Sequence, residues 1–191
     1  VCFLKAGILF SEIIGTVSET YAHEILTPEY GAGMENILRT REHDLFGVIN
    51  GIDDDIWNPD IDHHLPFHYS PDRIEGKLEN KQFLLRNTGL PFSEHRPLIG
   101  IISRLVVQKG FDLVADAIHD LMMMDAQWAV LGSGEIRFEN LFSSIAHTLP
   151  HKVWTYIGFN NELAHLIEAG ADMFLMPSRY EPCGLNQMYS L

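Results

Sequence analysis

The residues best suited to chemistry fall in four short runs. Ser103-Arg104-Leu105-Val106-Val107-Gln108-Lys109-Gly110 carries two cations five residues apart. Gly132-Ser133-Gly134 is a glycine-rich turn, and Gly158-Phe159 pairs a glycine with an aromatic ring. Pro177-Ser178-Arg179-Tyr180-Glu181-Pro182-Cys183-Gly184-Leu185 holds a carboxylate, a thiol and a further glycine. Two fixed positive charges, with glycines that let backbone approach closely, suit a diphosphate, and an aromatic face suits a nucleobase. A helix opening at Gly184-Leu185 would aim amide donors at an anion.

Each run follows an apolar, β-rich stretch. Strands are predicted over 98–102, 128–131, 153–157 and 173–176, and helices over 111–122, 136–149 and 162–169. Strands separated by helical runs of this length imply βαβ units and a parallel α/β sheet with helices on both faces. Ligands of such sheets bind beyond the carboxyl ends of the strands, where all four runs lie. Upstream, 13–17 reads as a short β-rich run, followed by Ser18 as N-cap of a helix to residue 25, with Glu19 at its positive end. Thr27-Pro28-Glu29-Tyr30-Gly31 breaks that helix, a second is predicted over 34–41, and Val48-Ile49-Asn50-Gly51 reads as a strand entering a tight turn. Residues 53–69 lack periodicity and read as a connection. Asp72, followed three residues later by Glu75, predicts a capping-box start for a helix that runs to Thr88 and stops at Gly89.

With 191 residues, 46% of them hydrophobic and 20% charged, the chain has the profile of a globular protein that can bury a core without disulfides. A net charge of −13 argues against a nucleic-acid surface, which needs clustered Lys and Arg. It leaves room for an anionic small ligand held by a few placed cations. Cys2 and Cys183 are far apart and lack metal or redox spacing, so a reduced, cytoplasmic setting is expected. The apolar run 1–10, interrupted by Lys5, is too short to span a membrane and lacks signal-peptide flanks. The chain opens on Val1 and stops at Leu191 within what reads as the first turns of a helix, so an internal piece of a longer protein is expected.

The runs at 103–110 and 177–185 resemble the two signature segments of the glycogen and starch synthases. Thr16-Val17-Ser18-Glu19-Thr20-Tyr21-Ala22, Thr27-Pro28-Glu29-Tyr30-Gly31 and Asn50-Gly51-Ile52-Asp53 match further segments of that family in the expected order. The resemblance implies a GT-B arrangement of two Rossmann-like domains. Residues 1–52 would be the tail of the acceptor-side domain, 53–71 an interdomain linker, and 72–191 a truncated donor-nucleotide domain. It implies retaining transfer of glucose from ADP-glucose to an α-1,4-glucan, glycogen or starch, with no metal or other cofactor. By position, Arg104 and Lys109 would grip the donor diphosphate and Glu181 would lie against the glucosyl unit. Gly132, Ser133 and Gly134 would belong to the donor site with Cys183, and the Gly184 and Leu185 amides would hold phosphate oxygens. Phe159 stands where the family has Tyr on adenine, and Asn186 where it has Thr beside the phosphate.

Competing readings exist for each signal. Arg104 and Lys109 could be solvated surface cations, Glu181 a helix cap and Phe159 a core residue. Cys183 has no visible partner base, which favours an inert thiol. Asp53-Asp54-Asp55 has the acidic spacing that binds metal in other glycosyltransferases, yet it follows an Asn-Gly turn and reads as a solvated turn. His64 and His68 have zinc-ligand spacing for a helix, but Pro66 removes the helix, leaving exposed histidines as the expectation. A dinucleotide fingerprint would place its third glycine at position 137, where Arg137 stands. The rival functions are another retaining GT-B transferase using UDP-glucose, and a non-catalytic nucleotide-binding module.

Overall fold

The computed structural model describes residues 2–190; Val1 and Leu191, the two ends read above as cut, lie outside the described residues. The chain divides into two compact units, Val1–Ile52 with Glu181–Leu185 and Asp53–Tyr180 with Asn186–Leu191.

The first unit is built on two short parallel strands, β1 (Ile14–Thr16) and β2 (Leu45–Gly47), with Ile14 opposite Leu45 and Thr16 opposite Gly47. Helices α1 (Phe3–Phe10), α2 (Glu19–Glu24) and α3 (Glu35–Thr40) accompany them. Ser18 caps α2 as expected: its backbone is extended and its hydroxyl accepts the Tyr21 amide at 3.0 Å. The strand expected at 48–51 lies instead at Leu45–Gly47. Its partner β1 is only three residues long, so the ladder closes with the Val48 amide donating to the Thr16 carbonyl. The sequence does not predict helix α1, because an apolar segment broken only by Lys5 has little periodicity to read. Its end is closed by Arg41, whose Nη1 donates to the Ile8 and Leu9 carbonyls at 2.8 and 3.0 Å. Nη2 of Arg41 donates to the Ser11 carbonyl at 2.7 Å, and Nε pairs with Asp44 at 2.7 Å.

The second unit holds a four-stranded parallel sheet in the order β5-β4-β3-β6: β3 (Leu98–Ile102), β4 (Gln127–Gly132), β5 (Val153–Ile157) and β6 (Met173–Phe174). Its helices include α4 (Glu75–Thr88), α5 (Phe111–Asp116), α6 (Ile118–Met123), α7 (Ile136–Thr148) and α8 (Asn161–Gly170), and the short α9 (Leu185–Tyr189) follows β6. Side chains alternate along the strands. Ile99, Ile101, Trp128 and Val130 pack with Phe111, Val114, Phe138 and Phe142 of α5 and α7. Leu98, Ala129 and Leu131 pack with Leu84, Leu85, Leu166 and Ile167 of α4 and α8. A parallel sheet buried on both faces is therefore covered by helices on both sides, as the strand–helix alternation requires.

Two helix expectations need correction. The helix predicted over 111–122 is divided at Ala117, although the Ala117 amide still bonds Leu113 and its carbonyl accepts from Leu121. Helix α4 begins at Glu75 without a side-chain cap, because residues 70–73 form a tight bridge in which Ser70 and Arg73 exchange backbone bonds of 3.2 and 3.0 Å. Its stop at Gly89, in the left-handed conformation with φ 75°, is as read. The segment 53–69 folds as a series of turns within the second unit. Trp57 stacks between His165 and Tyr189 at 3.8 and 4.0 Å, and Asp62 Oδ2 lies 2.6 Å from His165 Nδ1.

Candidate active site

Strand β3 has β4 and β5 on one side and β6 on the other. The winding of the chain therefore reverses between β3 and β6, and a sheet of this kind opens its ligand crevice at such a switch point. Loops leave the sheet there after β3 and after β6. The structure fastens them to each other and to the turn after β4.

The loop after β3 is laced to the turn after β4. The Ser103 amide donates to Leu131, that of Leu105 to Ser133 and that of Glu135 to Leu105, at 3.1, 2.9 and 2.8 Å. Gly132 and Gly134 make this possible: a Cβ at either position would lie 1.9 Å from the Ser103 carbonyl oxygen or 2.3 Å from that of Leu105. The close approach these glycines permit is thus that of the neighbouring loop. The Gly134 amide is taken by Glu139 Oε1 at 2.7 Å, while Ser133 is exposed. The Gly132 carbonyl accepts the Gly158 amide at 3.0 Å, which links the turn after β5 to the same construction.

Arg104 is exposed and donates from Nη2 to Gln108 Oε1 at 3.0 Å. Lys109 is half-buried at the end of a short 3-10 turn, Val107–Lys109, which Gly110 stops. Gly110 has φ 75°, and a Cβ there would meet the Pro177 carbonyl oxygen at 1.9 Å, so only glycine fits. Phe111 follows at once and is fully buried, so the cationic loop is held between core and backbone. From the β6 side, the Arg179 amide donates to the Gln108 carbonyl at 3.0 Å. Arg179 Nε lies 3.1 and 3.2 Å from the Asp112 carboxylate oxygens, and Nη2 pairs with the same carboxylate. The guanidinium holds the Asp112 carboxyl below its ordinary range, and the carboxylate in turn raises Arg179. Arg179 is a loop staple, a role that its position in the motif did not reveal.

Asn186 Nδ2 donates to the carbonyl of Ile102, the last residue of β3, at 2.7 Å. The Asn186 amide thus anchors α9 to the switch point. Phe159 is 88% exposed, which excludes the reading of it as a core residue. Glu181, Cys183, Gly184 and Leu185 group with the first unit, where the Ser18 hydroxyl donates to the Pro182 carbonyl at 2.6 Å. Gly184 is buried with φ 78°, and Cys183 is half-buried. Beyond capping α2, Ser18 makes a second bond that joins segments distant in sequence, which spacing cannot show.

The weaker signals resolve locally. Asp53 Oδ1 accepts the amides of Asp55 and Ile56, both at 3.1 Å, and so closes its own turn. His68 Nε2 lies 3.0 Å from the Asp62 carbonyl, whereas His64 lies 3.3 Å from Asn161 Nδ2. His64 is half-buried beside His165, contrary to the expectation of two exposed rings, because the segment packs on α8. Among the described residues, no group of three or more His, Cys, Asp or Glu could hold a metal ion.

Residues 87–188 match the family model of the group 1 glycosyl transferases, and residues 1–40 match that of the starch synthase catalytic domain. The chain belongs to the group 1 glycosyl transferases. It is 52% identical to a glycogen synthase of Anaeromyxobacter dehalogenans over 99% of this chain and 40% of that protein. A glycogen synthase of Thermotoga petrophila is 51% identical over 99% of this chain and 39% of its own length. The chain thus spans about two fifths of the curated relatives it matches. Among solved structures, the catalytic domain of starch synthase IV from Arabidopsis thaliana, bound to ADP and acarbose, superposes with a TM-score of 0.91. It is 38% identical, over 98% of this chain and 39% of that one. HepE of Anabaena, solved with UDP and glucose, has a TM-score of 0.60 at 14% identity, over 96% of this chain and 43% of its own, and shares the fold alone. The resemblance to glycogen and starch synthases read from the motifs therefore holds along the chain, and the group 1 transferase fold is α/β of the GT-B kind. Among the described residues, no helix is long and apolar enough to cross a membrane.

Proposed function

We propose that this chain carries the donor-binding part of a glycogen or starch synthase that moves glucose from ADP-glucose to the non-reducing end of an α-1,4-glucan, with retention. The observation that carries the reading is the cationic loop Arg104–Lys109, which leaves the sheet at its switch point and is locked there by Gly110 and Arg179. Similarity to glycogen synthases, and to a starch synthase solved with ADP, supports adenine as the base.

In the reaction the bond between the glucosyl anomeric carbon and the diphosphate oxygen breaks, and negative charge builds on the departing ADP. The 4-hydroxyl oxygen of the glucan end bonds to that carbon and passes its proton to the departing diphosphate. Arg104 and Lys109 stabilise that charge, and being fixed in advance they need not reorganise as it develops. Phe159, an exposed ring after Gly158, is assigned to the adenine face. Glu181 is assigned to the glucosyl unit, and the Gly184 and Leu185 amides to phosphate oxygens. In this reading the cations supply the neutralisation and no metal or other cofactor takes part. Residence in the cytoplasm follows from the donor and acceptor proposed.

Transfer of labelled glucose from ADP-glucose to glycogen by the complete protein tests the reading. Incorporation from ADP-glucose, lost in Lys109→Ala, is expected. Incorporation from UDP-glucose alone would replace the donor.

A further inference from the structure

A second candidate site lies apart from the switch point. A groove of about 530 Å³ runs between α4 and α8 beside the edge strand β5. Its volume falls within the range of about 300–1,000 Å³ typical of small-ligand sites. Five ring side chains line it, the imidazoles of His63 and His64 and the rings of Phe83, Trp154 and Tyr156, with Asn87, Asn160 and Glu162 among the other polar groups. Trp154 and Tyr156 project to the same face of β5, two residues apart, with ring centroids 6.5 Å apart and planes 30° from parallel. Trp154 and Phe83 are backed by the Leu84–Leu166 core, and Tyr156 is 40% exposed, so the rings are supported beneath and open above.

The lining selects its ligand. Among the described residues no lysine or arginine lines the groove; Glu162 does, with His63 and His64, so it lacks the fixed cations that a diphosphate needs. Planar rings combined with short amide and carboxylate groups suit a neutral ligand with apolar faces and hydroxyl edges. A pyranose has that form: its C–H faces stack on rings while its hydroxyls meet the amides and the carboxylate. Two rings placed along one strand suit a run of sugar units rather than a single one.

We propose that this groove is an α-glucan-binding site distinct from the donor site, which holds a segment of the polymer acceptor against the donor-binding unit. The proposal rests on the glucan-synthase reading above. Calorimetric titration with maltoheptaose, in the absence of donor, tests it on the wild type, Tyr156→Ala and Asn87→Ala. Both changes are at exposed positions, and each sample is also titrated with ADP and melted. Weakening of maltoheptaose binding by about fivefold to tenfold in Tyr156→Ala, the loss expected for one stacked ring, is the predicted result, with ADP affinity and melting unchanged. Undetectable maltoheptaose binding, equal affinity in all three proteins, or equal binding of cellohexaose would each overturn it. If maltoheptaose binding depends on Tyr156 but ADP does not bind, the groove stands and the donor reading falls.

Discussion

At the scale of single residues, Arg179 has a role that only three dimensions reveal. It is a cation in a motif segment, and it is committed to Asp112 and to the loop backbone. Arg104→Ala and Lys109→Ala, made in the complete enzyme, are each expected to lower turnover by about 2–4 kcal/mol of transition-state stabilisation, by analogy with loss of an oxyanion donor. Glucan affinity should change little; steady-state kinetics with glycogen as the varied substrate checks both. Phe159→Ala should weaken ADP by about 0.5–1.5 kcal/mol if the exposed ring stacks on adenine, and an unchanged dissociation constant would remove that assignment. That the cationic pair and the aromatic lie on loops after strands was legible, because each follows an apolar β-rich run. The Arg179–Asp112 staple and the Ser18–Pro182 bond were not, since they join residues 67 and 164 positions apart.

At the scale of elements, the loop architecture depends on Gly110. Alanine there must accept a left-handed φ and a Cβ 1.9 Å from the Pro177 carbonyl oxygen, so Gly110→Ala should destabilise the chain by about 1–2 kcal/mol from conformation alone, and by more from the clash. Chemical denaturation measures the cost. Helix α8 supplies a second test. Burial pushes the Glu168 carboxyl up to about 7 from an ordinary 4.5, even though the Ser190 hydroxyl donates to it at 2.8 Å and Lys77 opposes the shift. A raised acid keeps its proton in the folded state while the unfolded chain has lost it. Stability is therefore expected to fall as pH rises from 4.5 to about 7, by about 1–3 kcal/mol in total. Melting at pH 5 and pH 8 should show that loss in the wild type and a smaller one in Glu168→Gln; identical losses would contradict it. Strands and long helices were legible from apolar runs and periodicity. The short α1 and the uncapped start of α4 were not, because an apolar run offers little periodicity to read and the start of α4 is decided by the local bridge at residues 70–73.

At the scale of the whole molecule, alternation of strand and helix was enough to predict a parallel sheet covered on both faces, and the two core clusters divide the strand residues as period two demands. The strand order, and with it the switch point, was not in the pattern: β6 pairs with β3 through residues 173 and 174 only, a match that no local signal encodes. That pairing makes the β3 loop the place to look for a donor site. The most direct measurement is a calorimetric titration of the protein with ADP, UDP and NAD, repeated on Arg104→Ala and Lys109→Ala. We expect ADP to bind in preference to the others, and each variant to lose at least about tenfold in affinity, as for a charge-assisted contact worth about 1.5–3 kcal/mol. Equal affinity for NAD and ADP, or ADP binding untouched in both variants, would contradict the assignment of this loop to the donor diphosphate.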